Sequence, residues 1–442
     1  MTGTDEADVS SNADETPKQV QGCMVDAMLR ELHRVVMRRL PITVADMLMN
    51  RDYPIDRAVI RYAAVTYFHK SVFEVVATCL AERRRELFSL ARKHLSEGQL
   101  QKMGVRPEQR ILDWQSAPVA AALLESNSVD PDTIRYFVPD LPWASSGTSV
   151  YFLVGCNRDA AQILYDVGFE GIDEVDQLMY SPLAALDIPI LSGDHGHYQV
   201  RNFPGALSEF IAMCEWLYDR GASLHRVFGL AQATPLHHIA GRIGRYLADS
   251  LTARFEISGD VNGAGATRRF IQVWVDTLRP LIMNSHLLQE ILRDLEHHDL
   301  FACPCSLGGS LAVNVLLNET INGVRSPKTI CALVSVLVRD TRNERLASVV
   351  FRLCCFACLG IPHTCRSASL QRLSIMQEGA PAVDTILDTL VAEFDNQFRR
   401  LDVPLARFLL DFWMPRMENF QRRYFSYDGV WYDSVAGREM MN

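Results

Sequence analysis

Thr234-Pro235-Leu236-His237-His238-Ile239-Ala240 is the stretch from which the rest of this chain is read. It predicts a loop that turns tightly into the first helix of a helix-turn-helix unit. Two segments upstream resemble it: Ser181-Pro182-Leu183-Ala184-Ala185-Leu186, and before that Ser149-Val150-Tyr151-Phe152-Leu153-Val154. Ser181 lies 32 residues after Ser149, close to the period of about 33 that stacked helix pairs repeat. Thr234 lies 53 residues after Ser181, which breaks that period.

Two glycines locate the surplus. Gly168 in Asp166-Val167-Gly168-Phe169 and Gly221 in Asp219-Arg220-Gly221-Ala222-Ser223-Leu224 both read as the residue that ends a unit's second helix by taking positive φ. Gly168 stands 19 residues after Ser149, and Gly221 stands 40 after Ser181, so about 21 extra residues fall inside one unit. By composition they are residues 187–204, with two prolines, two glycines and His195-Gly196-His197. An amphipathic helix follows, its stripe formed by Leu207, Phe210, Ile211, Cys214 and Leu217, the counterpart of Ala160, Ile163, Leu164 and Val167. An insertion inside a repeat is expected to form a surface loop and to carry binding specificity.

Outside this region the apolar residues also recur at three and four, so an all-α chain is expected. Residues 1–20 are acidic and rich in Ser, Thr and Asp, and read as a disordered tail. Residues 21–111 are expected to form a helical N-terminal cap, 112–330 degenerate repeats, and 331–442 a helical C-terminal cap. Asp130 and Asp132 precede Thr133 as a capped helix start. Thr329 to Val338 reads as a buried helix, and further helices are expected at Phe270–Leu278, His286–Leu295, Leu346–Cys358, Ala382–Phe394 and Ala406–Phe412. Thr267 lies 33 residues after Thr234, but Arg268-Arg269 stand where Pro-Leu is expected.

The chain has 442 residues and a net charge of −9, with 48% hydrophobic and 22% charged residues. Those values describe a globular protein without the basic face that nucleic acid needs. Arg83-Arg84-Arg85 and Arg422-Arg423 read as solvated helix faces. No apolar run reaches the roughly 18 residues of a membrane span. Eleven cysteines without regular spacing, and no signal-peptide pattern after Met1, lead to the expectation of an intracellular protein, cytoplasmic or nuclear, with reduced thiols.

Ser181-Pro182-Leu183, Gly221-Ala222-Ser223-Leu224 and Thr234-Pro235-Leu236-His237 resemble ankyrin repeats over roughly residues 112–267. Cys303-Pro304-Cys305-Ser306-Leu307-Gly308-Gly309 and Leu359-Gly360-Ile361-Pro362-His363-Thr364-Cys365 are similar to segments of degenerate ankyrin-domain proteins expanded in filamentous fungi. The resemblance implies an ankyrin-like α-solenoid that binds another protein and has no catalytic centre. It also implies that His237 is structural and hydrogen-bonds loop backbone.

Candidate chemistry is sparse. Cys303, Cys305, His363 and Cys365 are soft ligands that would suit a tetrahedral structural zinc site, although C-x-C with H-x-C is not the usual paired spacing. His297-His298 and Cys355-x2-Cys358 add to the two clusters, while Cys354, Cys355 and Cys358 also read as small apolar residues of a helix. Asp194, His195 and His197 on the insertion are read as solvated. No nucleophile elbow, phosphate-binding loop or H-E-x-x-H is present. The expected function is a non-catalytic interaction scaffold without a cofactor, with a zinc-stabilised module or an enzyme acting through the insertion or the Cys/His cluster as alternatives.

Overall fold

The computed structural model describes Leu48 and residues 55–66, 68–105, 109–113, 116–139, 149–176, 179–188, 203–227, 234–258, 280–281, 284–293, 316–317, 319–321, 324, 326–338, 342–359 and 381–424. Among these, every regular element is helical. The chain divides into two compact units, Met1–Gly171 and Ile172–Asn442, a boundary that falls within the 112–330 stretch.

The first unit is built around α2 (Lys70–His94). No proline or glycine interrupts these 25 residues, about 37 Å of helix, and Arg92, Lys93 and His94 complement the dipole at its C-terminal end. Val72, Phe73, Val76, Ala77 and Leu80, then Leu87, Phe88 and Ala91, lie on its buried faces. Against it pack α3 (Glu97–Lys102), α4 (Ser116–Ser126), α5 (Pro131–Phe137) and α6 (Arg158–Asp166), preceded in the chain by α1 (Arg57–Arg61), which widens into a π-helical turn at Tyr62–Thr66. Leu87, Leu112, Ala117, Leu124 and Ile134 form one core cluster. Each buried Leu or Ile there stabilises by roughly 1.5–3 kcal/mol.

Short polar side chains set the starts of these helices. Asp130 accepts from the Thr133 backbone N–H at 3.0 Å, as expected, and Asn157 accepts from Ala160 at 3.0 Å. Ser96 and Gln99 close a reciprocal capping box on α3. Asn157 also donates from Nδ2 to the Ala64 carbonyl at 2.7 Å, which ties α6 to the π-helical turn.

The arginine run on α2 departs from the expected solvated face. Arg83 and Arg84 are 3% and 2% exposed. Arg83 donates to the Leu48 carbonyl at 2.6 Å, and its guanidinium lies 4.2 Å from the centre of the Tyr136 ring. Burial pulls the Arg83 pKa down, and Tyr136 opposes that shift. The apolar stems pack and the head group finds a carbonyl and a ring π-face, so the charge is buried with partners. Arg85 does face solvent and donates to the Val167 carbonyl at 2.8 Å. Arg422 and Arg423 are exposed, as expected.

The second unit contains α7 (Pro182–Ala185), α8 (Phe203–Asp219), α9 (Pro235–Ser258), α10 (His286–Arg293), α11 (Pro327–Leu337), α12 (Glu344–Leu359), α13 (Pro381–Leu401), α14 (Leu405–Phe408) and α15 (Met414–Tyr424), with a π-helical turn at Leu409–Trp413 between the last two. The apolar run read as a buried helix is α11. α12 packs along α13 through a cluster in which the Phe351 ring meets those of Phe394, Phe398 and Phe408, with centroids 5.9, 5.8 and 5.1 Å away. Arg416 and Glu393 join α15 to α13 by two parallel bonds of 2.9 and 3.0 Å.

The tail at 1–20, most of the insertion, Thr267 to Arg269, Phe270–Leu278, Gly308-Gly309 and the residues after Tyr424 lie outside the described residues.

Candidate interaction surface

The motif residues open α7 and α9. Ser181 caps α7, its hydroxyl accepting from the Ala184 N–H at 3.4 Å, while Pro182 fills the first helical position and Leu183 is fully buried. Thr234 precedes α9, and the Nδ1 of His237 accepts from the Thr234 backbone N–H at 2.9 Å with the Thr234 hydroxyl also 2.9 Å away. Both Thr234 and His237 are buried, and Leu236 donates its N–H to the Leu224 carbonyl at 3.3 Å. The upstream segment forms a short 3-10 turn, Val150–Phe152, capped by Ser149, with the Tyr151 hydroxyl donating to the Phe169 carbonyl.

Gly168 and Gly221 take φ values of +113° and +97°, the left-handed region that the spacing predicts for them. The stripe of α8 is also as read: Leu207, Phe210, Ile211, Cys214 and Leu217 are all buried. α9 differs, because it runs 24 residues without the turn that would split it into a helix pair. Gly241 and Gly244 do not end it. Gly244 instead gives room for another segment: a Cβ at this position would lie 2.5 Å from the Leu316 carbonyl and 3.0 Å from the Thr320 nitrogen.

α7 and α9 pack against each other, and Arg242 of α9 reaches across to finish α7. It donates to the Ala184 carbonyl at 2.8 Å and pairs with Asp187 at 3.5 Å. His238 stands beside it, its ring edge-to-face with Tyr180 at 5.5 Å. Burial, together with the Arg242 charge, holds the His238 pKa down to about 4, so this imidazole is neutral at physiological pH.

No protein-family model, curated protein or solved structure matches this chain.

The loops before α7 and before α9 are joined by a contact that motif reading missed. Arg226 donates to the Asp173 carbonyl at 3.1 Å and to its carboxylate at 3.4 Å. A signal was present: Asp173 stands five residues after Gly168, and Arg226 five after Gly221. Burial pushes the Asp173 carboxyl up, against the pull of the Ser223 backbone N–H and Arg226.

Cys303, Cys305, His363 and Cys365, like His195, His197 and His297-His298, lie outside the described residues. Among the described residues, no group of three or more His, Cys, Asp or Glu is placed to hold a metal. Cys354, Cys355 and Cys358 sit within α12, each at most 2% exposed. Burial raises all three thiol pKa values, that of Cys355 to about 12, so they are protonated and weakly nucleophilic. The arrangement around α7 and α9 is suited to holding loops in register. No helix of the described residues is long and apolar enough to cross a membrane.

Proposed function

We propose that this chain is a non-catalytic protein-interaction scaffold, an ankyrin-like surface presented to another protein inside the cell, in the cytoplasm or the nucleus. The Arg226–Asp173 contact carries the reading, because it ties together two loops at the same offset from two left-handed glycines. A surface assembled from repeated loops needs that lateral register. Further support comes from the capped starts of α7 and α9, the packing of those helices, and the spending of His237 on its own cap. Specificity is assigned to the insertion at residues 187–204.

The test is an affinity pull-down with the full chain beside a chain lacking residues 187–204. The scaffold reading expects a defined partner on the full chain and its loss on deletion. An unchanged partner set would remove the insertion from the binding site, and no partner at all would remove the scaffold.

A further inference from the structure

The net charge of the second unit comes from one stretch of its sequence. Residues 172–227 hold eight Asp and Glu against three Lys and Arg, while residues 228–442 hold twenty-two of each. The net negative charge of this unit therefore belongs to the stretch that carries the two tied loops. Residues 172–188 contain Asp173, Glu174, Asp176 and Asp187 and no basic residue. Arg226 is bonded to Asp173 and Arg242 of α9 pairs with Asp187, so two arginines stand against these four acids.

The same loops carry the two most exposed large apolar side chains among the described residues of the unit, Val227 at 58% and Met179 at 50%. Val227 follows Arg226 in the chain. The Met179 N–H donates to the Asp176 carbonyl at 3.0 Å, and the Asp176 carboxylate accepts from the Tyr180 N–H at 2.8 Å, which holds Met179 in the turn at φ +66°. Met179 stands six residues after Asp173 and Val227 directly after Arg226, so both exposed side chains belong to the loops that this contact ties.

Resting on the scaffold reading, we infer that this loop surface docks a basic segment of a partner protein that bears an apolar side chain. Apolar contact with Met179 and Val227 supplies area, and the acidic excess of the same stretch selects and steers positive charge. A nucleic acid or an acidic segment meets repulsion here. A neutral apolar segment gains nothing from the charge, whereas a basic one gains from both features.

The probes are three fluorescein-labelled 12-residue peptides of Lys/Leu, Lys/Ser and Glu/Leu composition, read by anisotropy on the full-length chain. The Lys/Leu peptide is expected to bind at least tenfold tighter than either of the others and to weaken as salt is raised. Glu174→Lys combined with Val227→Ser is expected to weaken it a further tenfold. In an otherwise unaltered chain, a photocrosslinking amino acid at position 227 or 179 should capture the Lys/Leu peptide, and one at position 410, where Leu410 is also exposed, should not. Equal binding of the Glu/Leu or Lys/Ser peptide, indifference to the double substitution, or equal capture at position 410 would overturn the inference. If the peptides fail while the pull-down keeps its partner, this surface is misassigned and the scaffold stands; if both fail, both fall.

Discussion

The Nδ1 atom of His237 lies 2.9 Å from the backbone nitrogen of Thr234 and 2.9 Å from its hydroxyl oxygen. A single ring nitrogen thus satisfies a donor at the buried start of α9, and a neutral ring then carries its proton on Nε2. His237→Ala removes that acceptor and the ring, with an expected loss of about 2–3 kcal/mol. Thr234→Val keeps the backbone bond and is expected to cost about 1 kcal/mol. Urea denaturation measures both. Equal losses would show that the hydroxyl, and not the backbone nitrogen, is the donor that matters.

Gly244 and Gly98 are both helical and should respond to alanine with opposite sign. A Cβ at Gly244 would meet the Leu316 carbonyl at 2.5 Å, backbone that cannot simply rotate away. Gly244→Ala is expected to destabilise by about 2 kcal/mol or more, despite the better helix propensity of alanine. Gly98 has nothing within 4 Å, and Gly98→Ala should stabilise by up to about 1 kcal/mol. Thermal unfolding midpoints of the two variants moving in the same direction would contradict this account.

Gly168 and Gly221 test the backbone alone. The neighbour nearest to a Cβ at Gly168 is Ile111 Cγ2 at 3.6 Å, and Gly221 has none within 4 Å, so the cost of alanine comes from the left-handed φ. Each substitution should cost about 1–2 kcal/mol. Denaturant midpoints unchanged from the parent would show that these turns do not need glycine.

His238 predicts a pH dependence. Its ordinary pKa of 6.5 is held down to about 4 in the folded chain. As the pH falls from 6.5 to 4 the unfolded chain takes up a proton that the folded chain does not, so stability declines across that window and this contribution levels off below it. With solvent screening allowed for, the contribution is on the order of 1 kcal/mol. His238→Gln should flatten the profile of urea midpoint against pH between those limits, and an unaltered slope would assign the dependence to other groups.

The thiols of Cys354, Cys355 and Cys358 are buried and held protonated. Iodoacetamide at pH 8, followed by peptide mass mapping, should leave all three unmodified in the folded chain while the half-buried Cys156 reacts; denaturant should make all four react. Rapid labelling of Cys354 in the folded chain would mean that α12 opens readily.

Much of the helical layout was legible because it rests on local regularity. The run Thr329–Val338 falls on α11 and its C-cap, the stripe from Leu207 to Leu217 is the buried face of α8, and Gly168 and Gly221 take the φ that their positions require. Arg83 and Arg84 were not legible. The groups that Arg83 meets, the Leu48 carbonyl and the Tyr136 ring, stand 35 and 53 residues away, and no spacing rule on α2 points to them. The unbroken length of α9 was hidden as well. Glycine inside a helical pattern signals either an end or a close approach, and the segment that approaches Gly244 comes some 72 residues later in the chain. At the candidate surface, the starts of α7 and α9 could be read from their own residues, whereas the Arg226–Asp173 tie could be found only by counting from both glycines together.

Arg242 sets the end of α7 from 58 residues further along the chain. Four residues of helix would otherwise depend on the chain that follows them to hold their place. Each doubling of a loop's length costs only about 0.6 kcal/mol in closure entropy. Added chain at the junction after α7 is therefore expected to cost little stability, because the end of that helix is held by Arg242 of α9.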